Sequence, residues 1–102
     1  MEKEINKIIE KINMLHPEDP KIYNLWEVLT NILIKDENTT IDFLNSCEDK
    51  ETIDNLSSVF ADVSIVLQSS QFINCIEKLE IKFPDLLLKH MIQAAKEVIF
   101  NC

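Results

Sequence analysis

The chain has 102 residues, a formal charge of −8, 46% hydrophobic and 27% charged residues, and neither glycine nor arginine. That length carries one hydrophobic core rather than two, so a single globular domain over residues 1–102 is expected. The missing glycine excludes phosphate-cradling loops, dinucleotide fingerprints and nucleophile elbows and disfavours β-hairpins, while the acidic balance without arginine excludes a nucleic-acid groove.

Residues 2–15 place Ile5, Ile8, Ile9, Ile12 and Leu15 at helical spacing among lysines and glutamates, and His16-Pro17 ends that amphipathic helix. Asp19 is a natural N-cap, with Pro20 opening a second helix whose stripe is Ile22, Leu25, Trp26, Leu29, Ile32 and Leu33. Asp36-Glu37-Asn38 closes it. Thr39 and Asp42 resemble a capping box for a short third helix reaching about Cys47. Asp49 caps a fourth, with Ile53, Leu56, Phe60, Val63 and Leu67 along one seam to about residue 68. Ser69 or Ser70 caps a fifth with Phe72, Ile73, Ile76 and Leu79, and Pro84 starts a sixth that runs nearly to the C-terminus.

The expected fold is therefore all-α, with about six short helices. Trp26, Leu29 and Leu33 recur as Phe60, Val63 and Leu67 and again as Met91, Ala94 and Val98, at offsets of 34 and 31 residues. Those intervals fit helix-pair repeats and suggest stacked helical hairpins, HEAT-like or as an irregular helical bundle. The last helix carries two adjacent apolar stripes, Leu87/Met91/Ala94/Val98 and Leu88/Ile92/Ala95/Ile99, so it is either central to the bundle, buried on two sides, which is the expectation preferred here, or half of a self-association surface.

No uninterrupted apolar run marks a secretory signal or a membrane span, so a cytoplasmic protein without a membrane partner is expected. Cys47, Cys75 and Cys102 fit neither a disulfide framework nor a zinc pattern and read as reduced packing thiols. His16 and His90 lack a second ligand at metal spacing, so neither a metal nor another cofactor is expected. No catalytic constellation emerges, and an enzyme is not expected.

The charge is concentrated. Residues 36–62 hold Asp36, Glu37, Asp42, Glu48, Asp49, Glu51, Asp54 and Asp62 against Lys50 alone. On a continuous fourth helix, Glu51, Asp54, Ser58 and Asp62 span about 80° opposite the apolar seam. Ile65 and Gln68 extend this acidic stripe, and Ile65 offers an apolar anchor. These eight carboxylates and Ile65 are the candidate partner-binding residues, and a basic protein is the natural partner.

The run LSSVFADVSIVLQSSQFINCIEKLEIKFPDLLLKHMIQAAKEVI, residues 56–99, with the acidic segment before it, resembles the small helical immunity proteins encoded beside bacterial contact-dependent or polymorphic toxins. The resemblance implies a cognate toxin domain, often a basic nuclease, whose active or substrate-binding surface the protein covers. The expected helix count exceeds that of the four-helix immunity proteins of nuclease colicins, so no contact residues carry over from them. The other reading is a helical adaptor or regulatory scaffold that holds a peptide or protein in an inter-helix groove.

Overall fold

The structure is a computed structural model and describes residues 1–100. It contains α1 (Glu2–Asn13), α2 (Lys21–Leu33), α3 (Glu37–Ser46), α4 (Lys50–Ser57), α5 (Phe60–Leu67), α6 (Ser70–Lys82), a 3-10 turn over Pro84–Leu86 and α7 (Lys89–Glu97). The described residues include no strand, and the all-α class stands with seven α-helices where about six were expected.

Short polar residues set the helix starts. Asp19 Oδ1 accepts from the Lys21 amide at 2.9 Å beside Pro20, Asp49 Oδ1 accepts from Glu51 N at 3.1 Å, and Ser69 Oγ accepts from Phe72 N at 3.1 Å. The third helix begins earlier than the Thr39 box suggests, because Asp36 is itself the cap and accepts from Thr39 N at 3.0 Å. Thr40, fully buried, donates its hydroxyl to Leu33 O at 2.6 Å and so satisfies a terminal carbonyl of α2 without a glycine cap.

The expected fourth helix is two helices. Ser57 Oγ donates to Asp54 O at 2.6 Å where the chain leaves α4. Ser58 N turns to Asn55 O at 3.3 Å, and Val59 N to Leu56 O at 3.0 Å, tightening the chain into a bend. Val59 and Phe60, at the bend, are both fully buried.

Without glycine, two ordinary residues take the left-handed conformation. Leu87 (φ 55°) separates the 3-10 turn from α7, so the expected sixth helix is also interrupted. Gln68 (φ 46°) ends α5, and its side chain ties the ends of two helices together. Its Nε2 donates to Val98 O at 2.7 Å and Ile65 O at 3.1 Å, while Oε1 accepts from Phe100 N at 2.6 Å. The local strain is on the order of 1–2 kcal/mol, and these bonds to backbone groups offset it.

One contiguous core draws residues from every α-helix, from Ile5 on α1 to Ala95 on α7, and centres on Phe60 and Phe72, whose rings meet edge-on at 6.1 Å. The most extensive packing joins α5 to α7, α1 to α2 and α3 to α6. Two of those pairs reach across intervening helices, the arrangement of an irregular bundle rather than of a HEAT-like stack. The three recurring triplets are accordingly not equivalent: Leu29, Leu33, Phe60 and Val63 are buried, whereas Ala94 is exposed. Nor is α7 buried on two sides. Leu88, Ile92 and Ala95 face the core, and Leu87 is 75% exposed.

Candidate functional site

At 100° per residue, Glu2, Asn6, Glu10 and Asn13 fall within about 80° on α1, on a face adjoining the buried stripe of Ile5, Ile9 and Ile12. That polar face forms one wall of a groove. The other wall is the corner where α3 gives way to α4, contributing Cys47, Glu48, Asp49, Glu51 and Thr52. The groove consists of two depressions of about 300 and 310 Å³ that share Asn6, Asp49 and Thr52. Its lining carries five carboxylates, Glu2, Glu10, Glu48, Asp49 and Glu51, and no lysine.

The walls are fixed to each other and to the rest of the bundle. Asn13 Nδ2 donates to Glu51 Oε1 at 2.9 Å, joining the end of α1 to the start of α4. Asp49 caps α4 with Oδ1 and accepts the Thr52 hydroxyl on Oδ2 at 3.1 Å, so its carboxylate is held against the helix start. From behind, Lys82 of α6 donates to Cys47 O and to Glu48 Oε1, both at 2.9 Å. Lys50 pairs with Asp85 of the 3-10 turn. The Lys82 contact moderates Glu48, whose side chain is 81% exposed, and leaves Glu2, Glu10 and Glu51 without an ion pair among the described residues.

This arrangement suits the recognition of cations. Closely spaced carboxylates with low-dielectric walls sum their fields, and each accepts a charge-assisted hydrogen bond from lysine or, in bidentate form, arginine. The Cys47 thiol beside the groove is pushed up from its ordinary pKa by burial, against the opposing contact with the Asp49 backbone, and so stays protonated at neutral pH. Cys75, buried in the α3–α6 seam and 3.4 Å from Asn45 Oδ1, is pushed up to about 11 by burial. Neither has the depressed pKa of a nucleophilic cysteine. Among the described residues no three His, Cys, Asp or Glu side chains converge as a metal site requires. Cys102 lies outside the described residues.

The structure gathers Glu48, Asp49 and Glu51 into the groove and distributes the other predicted residues. Asp36 is the cap of α3, with Glu37 half-buried in its first turn. Asp42 lines a separate depression between α3 and α6, whose wall includes Lys78. Asp54 lies exposed on α4, and Asp62 and the 49% exposed Ile65 lie on α5. The bend at Ser58–Val59 separates those two helices, so the single stripe drawn through Glu51, Asp54, Ser58 and Asp62 does not exist on one helix. Sequence reasoning missed Glu2, Asn6, Glu10 and Asn13. A charge count treats α1 as nearly neutral; sorting its residues by helical angle separates Glu2 and Glu10 from Lys7 and Lys11.

Fold and site together define an all-helical domain with an acidic inter-helix groove. Compared with known protein families, with curated proteins and with solved structures, the chain matches none. Among the described residues no helix is long and apolar enough to cross a membrane.

Proposed function

We propose that the protein is an immunity protein of the cytoplasm that neutralises a cognate basic toxin domain, in the manner of the proteins that residues 56–99 resemble. The supporting observation is the groove itself: five carboxylates from two chain segments, with no lysine in the lining. Seated there, lysines or arginines of the partner form charge-assisted hydrogen bonds, and those side chains become unavailable to hold the phosphates of a nucleic-acid substrate. Inhibition follows by occlusion and needs no chemistry from the inhibitor.

Co-expression tests this reading. The toxin domain encoded beside this gene is expected to arrest growth alone and to be neutralised by the wild-type protein. A Glu2→Lys/Glu10→Lys/Glu51→Lys variant that retains its helical circular dichroism is expected to lose protection. Full protection by that folded variant overturns the groove as the inhibitory surface, and absence of protection by the wild type overturns the immunity reading.

A further inference from the structure

The other exposed side of α1 has the opposite character. Against α2 it lines two depressions of about 320 and 420 Å³, which share no residue and follow one another along the α1–α2 seam as a shallow furrow. Its floor is apolar, formed by Ile8, Leu15, Leu25, Val28 and Ile32. Met14 stands at one end, 85% exposed, and Val28 is 39% exposed. The α1 residues of the furrow run from Glu4 to Lys11, about 11 Å or two helical turns, and Met14 and Leu15 continue it past the helix end.

Its rim is basic in a protein of charge −8. Lys7, Lys11, Lys21 and Lys35 line the two depressions against a single carboxylate, Glu4. None of those four lysines forms an ion pair among the described residues, although Lys50, Lys82 and Lys96 all do. In a chain with 18 carboxylates, four unpaired lysines flanking one apolar furrow are a local reversal of sign.

We propose that this groove is a second docking surface, which takes an amphipathic helix of a partner protein whose apolar ridge is flanked by aspartate or glutamate. The ridge fills the furrow over Leu15, Leu25 and Val28, and the flanking carboxylates meet lysines on both walls. A furrow between two helices with lysines on both walls suits a third helix with acidic flanks laid along it. The acidic groove lies on a different face of α1, so the two surfaces accept partners of opposite charge independently.

The test uses the full chain, isotopically labelled, and two synthetic amphipathic helical peptides with the same leucine ridge, one flanked by glutamates and one by lysines. The glutamate peptide is expected to shift the amide resonances of Ile8, Lys11, Leu15, Leu25 and Val28 saturably below about 1 mM, in the range of weak single-helix docking. The lysine peptide is expected to leave them in place. Lys11→Glu/Lys21→Glu is expected to weaken the glutamate peptide at least about tenfold, from two reversed contacts, with an unchanged circular dichroism spectrum. Equal binding of both peptides, or no saturable shift of these amides, overturns the proposal. Stronger perturbation of the same amides by vesicles of anionic phospholipid, or concentration-dependent dimerisation through them, also overturns it and assigns the face to a membrane or a second copy.

Discussion

Asn13 Nδ2 donates to Glu51 Oε1 at 2.9 Å across 38 residues of sequence, and the bond joins the two walls of the acidic groove. It is exposed, so its contribution to stability is modest while its contribution to shape is direct. Asn13→Ala is expected to cost less than about 1 kcal/mol in denaturant unfolding. Because it changes no charge, it should raise the dissociation rate of a bound partner and leave the association rate unaltered. Glu2→Lys/Glu10→Lys, which leaves that bond in place, should do the reverse, slowing association about tenfold at low salt and flattening its salt dependence. Stopped-flow measurements at two ionic strengths distinguish the two.

Phe60 is fully buried and meets Phe72 edge-on at the centre of the core. Phe60→Ala removes the larger part of that contact and leaves a cavity that helices on several sides cannot close. A loss of about 3–5 kcal/mol is expected from equilibrium unfolding. A loss under about 1 kcal/mol contradicts the placement of Phe60 at the core.

Gln68 combines an unfavourable backbone with useful side-chain bonds, and two substitutions separate these effects. Gln68→Ala keeps the left-handed strain and loses the links to Val98 and Phe100, a cost of about 1–3 kcal/mol. Gln68→Gly loses the same links but relieves the strain, and should be more stable than the alanine variant by about 1 kcal/mol. If alanine and glycine prove equal in chemical denaturation, the left-handed turn at residue 68 is not the source of strain.

Cys75 gives the stability a particular dependence on alkaline pH. Burial raises its folded pKa from the ordinary 9.0 to about 11, so between those values the unfolded thiol releases a proton that the folded one retains. The folded state then binds more protons, and its stability falls as pH rises through that interval. The contribution is fully present below about pH 9. Thermal unfolding of Cys75→Ala should therefore show a shallower decline from pH 9 to 11 than the wild type. The same burial predicts little modification of Cys75 by thiol reagents in the folded protein at pH 7.

The helical class, the caps at Asp49 and Ser69 and the core positions of Leu29, Ile53, Phe60 and Phe72 were legible because periodicity and capping are local, whereas α2 starts one residue later than Asp19 suggests, with Pro20 in the cap position. The bend at Ser58 was not legible, since the apolar spacing of Ile53, Leu56, Phe60, Val63 and Leu67 runs straight through it. Glu48, Asp49 and Glu51 were found as part of a charge excess. Their partners Glu2 and Glu10 were not, because only the packing of α1 on α4 brings them near. Gln68, expected on the exposed acidic stripe, instead ties α5 to α7, because only the fold brings Val98 and Phe100 near it.

The most direct test of the account is to titrate the labelled protein with the purified toxin domain encoded beside its gene and to map the amide resonances that move. The account predicts that Asn6, Glu10, Asn13, Glu48 and Glu51 shift together, and that the shifts diminish as salt is raised. Saturable binding that leaves those five amides in place and perturbs another face, such as the exposed side of α7, would contradict it.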